Sequence, residues 1–449
     1  MKTESIPLGW QLTTLGDIAK KEYGLVDGPF GSNLPASEYV LLGVPVIRGS
    51  NLSLGGVSFK GDEFVYVSEK TAKRLERSLC VPEDIVFTKK GTLGQTGFVP
   101  TTHRYKKFLI SSNQMKLSVD RKVADPRFVY YYVSSPTSRE KIIRDSEVTG
   151  VPKTNLAYLR TFPIVLPPLA EQKAIAHILG TLDDKIELNQ QMNQTLEAIA
   201  RALFKSWFID FDPVRAKLDG RQPIGMDAET AALFPAEFED SALGKIPKGW
   251  SVSTLEQVVS VNSLSITKSY PHQVIQYVDI SSVTVGRLEE TTIYVLSDAP
   301  SRAKRLVRHG DTIWSGVRPN RKSYLFIHTP PENLVVSTGF IVLSPQAIPP
   351  SYLYAWVTTD EFVDYLVFNA DGSAYPAVRP DRFSDAQILI PLKAILDKFE
   401  QQVESMRDKI IQNERESRVL ASIRDALLPK LLSGEIRVQD AETVVEAVT

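Results

Sequence analysis

Two long stretches of the chain carry apolar residues alternately three and four positions apart, the spacing along one face of a helix. A 3.5-residue period sustained over more than four heptads is typical of a coiled-coil seam. Each stripe is interrupted near its middle by two polar residues, which in such seams fix the register of the paired helices. We therefore predict long helices over residues 170–208 and 394–432 that pack against each other. The seams are Ile175, Leu179, Leu182, Ile186, Asn189, Asn193, Leu196, Ala200, Leu203 and Trp207, and, 224 residues later, Phe399, Val403, Met406, Ile410, Asn413, Ser417, Leu420, Arg424, Leu427 and Leu431.

The two stripes belong to a larger internal repeat, in which the order of the matching segments never changes. The chain therefore consists of two copies of one unit of ~200 residues, and the implied pseudo-twofold axis makes the two long helices antiparallel. The matching segments are IPLGWQLTTL (6–15) with IPKGWSVSTL (246–255), DIVF (84–87) with DTIW (311–314), ISSNQMKL (110–117) with VSTGFIVL (336–343), and PRFVYYY (126–132) with PSYLYAW (350–356).

The rest of each unit has the pattern of a mixed α/β domain. Short β-rich runs such as VPVIRG (44–49), DIVFTKK (84–90) and MKLSV (115–119) are separated by turn residues. FVYYYVSS and YLYAWVTT predict helices whose aromatic side chains are buried in a core. Residues 210–245 hold eight acidic and four basic residues with scattered Pro and Gly, and are expected to form a linker or a loosely packed connection. The predicted fold class is α+β (mixed α/β), with two domains joined by two long helices that form an antiparallel coiled coil.

Composition excludes several classes of protein. With 449 residues, 43% hydrophobic and 23% charged, the chain is long enough for about three soluble globular domains. The single cysteine, Cys80, excludes an intrachain disulfide or a cysteine zinc site. No stretch approaches the ~18 uninterrupted apolar residues of a membrane span, and the first residues do not form an apolar signal segment. We expect a cytoplasmic protein.

Motifs of catalytic or metal sites are missing from the sequence. The five histidines have no metal-ligand spacing, and there is neither a phosphate-binding glycine loop nor the Asn/Asp-Pro-Pro-aromatic tetrapeptide of adenine methyltransferases. PEDIVFTKK (82–90) has some likeness to a metal-nuclease motif, but its spacing is wrong and the second copy, HGDTIWSG, lacks the lysines. Cys80 has no supporting histidine pattern and is expected to be a structural thiol. We predict no catalytic residue and no metal site.

The distribution of charge favours nucleic acid as a partner. Lys and Arg number 52 against 53 Asp and Glu, which excludes a chain that is basic over its whole surface but not a local basic surface. Residues 70–107 hold nine Lys/Arg and three acids, and residues 297–324 hold seven and two. These are corresponding regions of the two repeats; the first mixes its cations with Gly, Gln and Ser, and the second with Gly, Asn and Ser. Lys and Arg bind phosphates, whereas Arg, Asn and Gln hydrogen-bond to base edges, so duplex DNA is the expected partner.

Besides the GW-containing start of each unit, several further segments stand in a duplicated order along the chain. These segments are GPFGSNL and GVPVIRGSNL (within 28–52), DIVFTKKGTLGQTGFV (84–99), ISSNQMKL (110–117), VTGVPKTNLAYLRTFPIVLPPLAEQKAIAHILGTLDDKIE (148–187), SWFIDFDPVRAK (206–217) and LLPKLLSGEIRV (427–438). On these segments and their order, the chain resembles, over nearly its full length, the specificity (S) subunit of type I restriction–modification systems.

The resemblance implies a division of labour between this chain and other subunits. Each target-recognition domain would read one half of a split target in double-stranded DNA. Two modification (methyltransferase) subunits and the restriction (translocase/endonuclease) subunits would bring S-adenosylmethionine, ATP and Mg, and this chain would be non-catalytic and bind no cofactor. The expected divisions are a first target-recognition domain (1–168), the first conserved helix (169–209), a linker (210–245), a second target-recognition domain (246–391), the second conserved helix (392–432) and a tail (433–449).

The expected DNA-binding residues lie in loops near the basic regions. Arg, Asn and Gln would read bases, and Lys would mainly hold the DNA backbone. In the first domain they are Ser32, Asn33, Arg48, Lys89, Lys90, Thr92, Gln95, Ser112, Asn113 and Lys153, and in the second Ser315, Arg318, Asn320, Arg321, Lys322, Thr338, Tyr375 and Arg379.

Two other classes of function stay open on the residues alone. A stand-alone nuclease would cut DNA with only a metal ion added. A protein scaffold that does not read DNA would behave independently of salt and of DNA sequence.

Overall fold

The computed structural model describes residues 6–54, 59–61, 63–146, 151–372 and 375–446. Two long helices, Leu169–Phe204 and Lys393–Ser433, confirm the predicted pair. The chain divides into two compact units, of which the first holds the residues up to Met192 and from Gln412 onward, and the second holds Asn193–Ile411. Both borders fall inside the long helices, so each helix contributes one part to each unit.

Among its described residues, the first unit contains two sheets and a separate strand pair. In the five-stranded sheet, strand Val44–Ile47 is parallel to strand Phe108–Ile110, and all other neighbouring strands of this sheet are antiparallel. The four-stranded sheet has the order Leu25–Asp27, Gln114–Leu117, Ile85–Thr88, Thr96–Phe98, and the five-stranded sheet the order Tyr39–Val40, Val65–Val67, Val44–Ile47, Phe108–Ile110, Leu79–Cys80. Gln11–Thr14 pairs with Pro163–Leu166. The runs at 44–49, 84–90 and 115–119 form strands as predicted, and the residues of Val44–Ile47, Ile85–Thr88 and Gln114–Leu117 are buried because these strands lie inside the sheets.

Helices cover the first unit's sheets and supply much of its core. Pro126–Ser134 begins after the capping side chain of Asp125, which accepts from the backbone N–H groups of Arg127 and Phe128. Phe128 and Tyr131 are buried in the core, as the aromatic pattern predicts. The remaining helices of this unit are Glu69–Arg74, Pro136–Arg144, Leu156–Thr161 and Val438–Glu446, with 3-10 turns at Gly31–Asn33, Ala36–Glu38, Gly49–Asn51 and Glu76–Ser78. The last helix lies in the segment expected to be the tail, and it packs on the first unit because Ala441 and Val445 are buried in the same core.

The second unit repeats this topology. Its four-stranded sheet has the order Val259–Val261, Phe340–Pro345, Thr312–Ser315, Tyr324–Phe326, and its second sheet the order Thr292–Val295, Val274–Val278, Leu334–Ser337, Ala303–Leu306. The parallel pairing recurs between Val274–Val278 and Leu334–Ser337. Ser251–Thr254 pairs with Gln387–Ile390, and Val283–Thr284 with Arg287–Leu288. The helices are Leu255–Val258, Pro350–Val357, Asp360–Phe368 and Pro380–Asp385, with 3-10 turns at Ile280–Ser282, Leu296–Asp298 and Pro319–Arg321.

Residues 210–245 differ from the expected loose connection. They form the helices Asp212–Leu218 and Ala228–Leu233 and a hairpin of Phe238–Ser241 with Gly244–Pro247, after a π-helical turn at Lys205–Ile209. Val214 and Phe234 are buried in the second unit's core with Trp207. The apolar residues of this segment are too widely spaced for a periodic pattern, yet Val214 and Phe234 fill places in that core, whereas Leu218 and Ile224 are exposed.

The long helices are antiparallel and pack through the predicted seam. In the first unit, Asp183 meets Arg424 and Asn189 meets Asn413, so position numbers rise along one helix as they fall along the other. The Asn189 side-chain amide donates to the Asn413 carbonyl at 3.4 Å and to the Ser417 hydroxyl at 3.3 Å. In the second unit, the Asn193 amide donates to the carbonyl of Ile410 at 3.4 Å. Among the described residues, no helix is both long and apolar enough to cross a membrane.

Candidate nucleic-acid interface

Three loops of the first unit meet where the chain crosses from one sheet to the other. Strand Phe108–Ile110 leads into Gln114–Leu117 through a turn, in which the Ser111 N–H donates to the Ile47 carbonyl at 3.0 Å. The Lys89 N–H donates to the Asn113 carbonyl at 2.7 Å. These hydrogen bonds bring together the ends of strands Val44–Ile47, Ile85–Thr88 and Phe108–Ile110. The tips of the loops that follow these strands stay exposed.

A groove with a volume of about 450 Å³ lies at this junction, and polar residues line it. The Thr88 hydroxyl donates to Gln95 Oε1 at 3.2 Å, and the Ser111 hydroxyl donates to Gln114 Oε1, so two of the amides are held in place. Five predicted residues line the groove, namely Arg48, Lys90, Thr92, Gln95 and Asn113. Guanidinium and amide groups suit base edges, and the ammonium group suits a phosphate.

The other predicted residues of the first unit are not part of the groove lining. The Lys89 ammonium forms an ion pair with Asp27 at 2.9 Å and lies 5.8 Å from the ring centre of Phe30. Ser32 and Asn33 occupy the 3-10 turn that follows Phe30, and Ser112 lies in the crossing turn. Lys153 is paired with Lys90 in an isolated β-bridge, which puts it beside the groove.

The second unit presents its basic residues on a strained loop. Arg318 and Lys322 flank the 3-10 turn Pro319–Arg321 with φ angles of 51° and 54°, in the left-handed region. The first unit has Gly91 and Gly94 at the two ends of its corresponding loop, with φ angles of 106° and 83°. Non-glycine residues in this region cost about 1–2 kcal/mol each, and such strain clusters at functional sites.

Contacts inside the second unit bring two of the predicted residues together. The Arg318 guanidinium lies 4.5 Å from the ring centre of Tyr375, whose side chain is 71% exposed, and the Arg318 N–H donates to the Pro376 carbonyl at 2.7 Å. The resulting stacked pair is a platform of the kind that contacts nucleobases. Arg379 forms ion pairs with Asp371 and Asp381 at 3.8 and 3.3 Å.

The remaining predicted residues of the second unit differ in their exposure and in their partners. Asn320 and Arg321 are exposed on the turn, but Lys322 forms an ion pair with Asp360 at 2.6 Å, and a hydrogen bond from Lys322 to that carboxylate raises the lysine's pKa. Ser315 is 1% exposed, and its hydroxyl donates to the Val317 carbonyl at 2.8 Å, which makes it a residue that shapes the loop. Thr338 is exposed and its N–H donates to the Arg302 carbonyl at 2.8 Å.

Sequence reasoning missed several residues of the groove. Gly49, Ser50, Thr88, Ser111 and Gln114 line it with the predicted residues. The prediction overlooked Gln114 because it lies in a strand whose residues are all buried, although it is adjacent to the predicted Asn113. The signal that could have found it is an amide within an otherwise apolar strand, because burying a polar side chain is costly unless it has a partner.

No metal site accompanies the groove: within the described ranges, no three His, Cys, Asp or Glu side chains lie close enough to share a metal ion. Cys80 is buried, and burial raises the pKa of its thiol well above the usual value. It therefore has the environment of a structural thiol.

Comparisons with known proteins agree on one family. Residues 7–198 match the family described as type I restriction modification DNA specificity domain. The chain is 24% identical over 446 residues to the type I restriction enzyme MjaIX specificity subunit of Methanocaldococcus jannaschii, covering 97% of this chain and 95% of that one. It is 28% identical over 404 residues to the HindI specificity subunit of Haemophilus influenzae, covering 78% and 87%. The fold matches the crystal structure of a type I restriction-modification S subunit from M. genitalium, with a TM-score of 0.57 at 16% identity and coverage of 96% and 97%. Residues 7–198 therefore carry the DNA specificity domain of type I restriction–modification systems, and over most of its length the chain is similar to specificity subunits of these systems.

Proposed function

We propose that this chain is a specificity subunit that reads a bipartite DNA target, with one half-site for each unit. The observation that carries the proposal is the polar groove of the first unit, where Arg48, Gln95 and Asn113 stand beside the cation of Lys90. A site of this composition combines groups that read base edges with a group that binds a phosphate. The repeated topology places a second loop with exposed Asn320 and Arg321 at the corresponding strand ends of the second unit.

The two units differ in the side chains of these loops, which supports two different half-sites. Where the first loop has glycines at both ends, the second has Arg318 and Lys322. The first unit offers amides in a groove, and the second offers a guanidinium stacked on a tyrosine. Two units that read the same DNA sequence would be expected to present the same side chains to it.

The chemical steps belong, in this proposal, to partner subunits. The chain would work in the cytoplasm with two modification subunits and the restriction subunits, which bring S-adenosylmethionine, ATP and Mg. The exposed sides of the two long helices would be the surface that the modification subunits contact. The chain itself would position DNA and carry out no bond making or breaking.

The test is a selection of bound duplexes from a randomised DNA library, using the chain assembled with its modification subunits. The expected motif has two specified blocks separated by an unspecified spacer. Gln95→Ala should relax one block and Arg321→Ala the other, each by ~1–3 kcal/mol at a position read through a bidentate contact. A variant that changes both blocks, or an unmodified complex that selects no motif, would contradict the proposal.

A second experiment tests whether this chain alone catalyses methyl transfer or cleavage of DNA. The purified chain is incubated with duplex DNA, Mg²⁺, ATP and S-adenosylmethionine, and then again with the modification subunits added. We expect methyl transfer only in the second mixture. Methylation or cleavage by the chain alone would show that it carries an active site of its own.

A further inference from the structure

The structural repeat places an arginine and an aspartate at equivalent positions of the two units. Arg48 directly follows strand Val44–Ile47, and Asp279 directly follows strand Val274–Val278. Both strands form the parallel pairing of their sheet, and both residues lead into a 3-10 turn. Position for position, the first unit therefore has a cation where the second has an anion.

In the first unit, this position stands over the floor of the groove. Arg48 is exposed at the groove, and among the described residues the structure records no ion pair for its guanidinium. The next residue, Gly49, has no side chain to cover the two glutamine amides on the groove floor. A β-carbon at Gly49 would contact both of them, at 3.6 Å from Gln95 Oε1 and 3.8 Å from Gln114 Nε2. A guanidinium has donors only, and two of them match the O6 and N7 acceptors of guanine.

In the second unit, the same position presents acceptors. Asp279 accepts from the Tyr277 hydroxyl at 3.0 Å, from the Ser281 N–H at 3.2 Å and from the Ser281 hydroxyl at 3.1 Å, and Arg302 lies 3.9 Å away. Burial opposes the charged carboxylate, but the hydrogen bonds from Ser281 and Tyr277 lower the pKa of Asp279 below its usual value. The ionised carboxylate has four lone-pair sites, of which these hydrogen bonds use three, so it can take one further donor.

The surroundings of the aspartate also differ from those of the arginine. Ile280 stands where the first unit has Gly49, and its Cδ1 lies 2.3 Å from where a β-carbon on Gly339 would be. The end of the Ile280 side chain therefore lies directly over Gly339, and Ile280 packs against the neighbouring apolar core. At this position the second unit thus has an apolar side chain where the first unit has glycine, which leaves the carboxylate as the group that faces DNA there.

We propose that each half-site contains a G·C pair at the position read here, recognised through guanine by Arg48 and through the cytosine N4 amino group by Asp279. Carboxylates in the major groove accept from cytosine N4, which is the pairing that complements an acceptor-only side chain. This inference rests on the proposed reading of DNA by both units. It adds which base each unit recognises at one equivalent position, and through which atoms.

The first experiment repeats the library selection with Arg48→Gln and Asp279→Asn in the assembled complex. Glutamine and asparagine form bidentate contacts with adenine, so we expect one G·C column to change to A·T in a different block for each variant. Loss of preference for the original base should be about 10- to 100-fold. The amide introduced by Asp279→Asn retains an oxygen for the Ser281 N–H, so the fold should be preserved. Arg77→Gln and Asp298→Asn, exposed residues outside the groove lining, are the matched controls and should select the parent motif.

The second experiment tells which base of each pair is read. In the column assigned to Arg48, 7-deazaguanine removes the N7 acceptor and should weaken binding by the unmodified complex. In the column assigned to Asp279, N4-methylcytosine directs its methyl group into the major groove and should weaken binding, whereas 7-deazaguanine should not. Sensitivity to the opposite analogue in either column would overturn the assignment of bases.

The outcomes distinguish a failure of this inference from a failure of the proposed function on which it rests. If both variants select the parent motif, or if Asp279→Asn only lowers the unfolding temperature, the assignment of these two residues is wrong while two-block reading stands. A parent motif without a G·C pair in both blocks has the same consequence. If the unmodified complex selects no motif, the proposed function fails and this inference fails with it.

Discussion

The Arg424 guanidinium donates to the Asp183 carboxylate at 2.7 Å, which joins the two long helices within the first unit. The second carboxylate oxygen accepts from the Tyr131 hydroxyl at 2.6 Å, so the same aspartate also joins the first long helix to helix Pro126–Ser134. The side chains of Asp183 and Arg424 are only 16% and 11% exposed. Breaking a pair at such burial leaves a desolvated charge, which costs far more than the loss of a surface pair.

We predict that Asp183→Ala lowers the free energy of unfolding of the first unit by about 2–3 kcal/mol, because Arg424 retains Asp425 as a partner. Urea unfolding followed by circular dichroism would measure it. The control is Arg418→Ala, which removes an exposed pair with Glu414 and should cost at most about 0.5 kcal/mol. Equal costs for the two variants would mean that the buried pair contributes no more than a surface pair.

A second prediction concerns the polar layer of the seam. Asn189 and Asn413 are buried between the helices of the first unit, where polar residues lower stability but specify register. Replacing both by leucine should raise the free energy of unfolding while permitting more than one register. Spin labels at the exposed positions Gln190 and Arg415 would report this as a broader distance distribution than in the parent, and the buried Cys80 would not interfere. A single narrow distance in the double variant would show that other contacts set the register.

How far the sequence determines this structure differs between its parts. The long helices, the repeat and the strands at 44–49, 84–90 and 115–119 followed from periodicity, because each buries a regular apolar face. The order of residues 210–245 did not follow, because Val214 and Phe234 fill core positions that are defined only by distant parts of the chain. The groove was found in part: Lys90 and Gln95 lie in a loop with an evident polar pattern, whereas Asp279 has significance only through its equivalence to Arg48, which the strand pairing reveals.

A third prediction separates the two adjacent lysines of the first unit. The charge of Lys89 is compensated by Asp27 at 2.9 Å, whereas Lys90 is exposed in the groove lining. Lys90→Ala should weaken binding evenly across DNA sequences and reduce the slope of log K against log salt by about 1. Lys89→Ala should change the slope less, because Asp27 already offsets that charge. Titrations at several salt concentrations would measure both, and a larger effect of Lys89→Ala would mean that DNA displaces the aspartate.

A fourth prediction concerns the pH dependence of the second unit. Burial, with the neighbouring His309 and Arg407, lowers the pKa of His328, although Asp408 at 3.4 Å favours the charged ring. The unfolded chain therefore binds this proton more readily, and stability is lost as the pH falls through the ordinary histidine pKa of about 6.5. The parent should lose stability relative to His328→Asn between about pH 8 and pH 5. Asp408→Asn should enlarge the loss, and a pH-independent difference would contradict the prediction.

The last prediction tests whether the strain at Arg318 is maintained for the sake of its side chain. Its φ of 51° favours glycine, and the first unit has Gly91 at the corresponding end of its loop, so the guanidinium over Tyr375 is presented at a cost in stability. Arg318→Ala and Arg318→Gly remove the same side-chain charge, but only glycine relieves the backbone strain. We expect Arg318→Gly to be more stable than Arg318→Ala by about 1 kcal/mol in urea unfolding, while both lose DNA binding to the same extent. If Arg318→Gly bound DNA as well as the parent, the strained conformation would serve the shape of the loop, and the arginine would have no part in the interface.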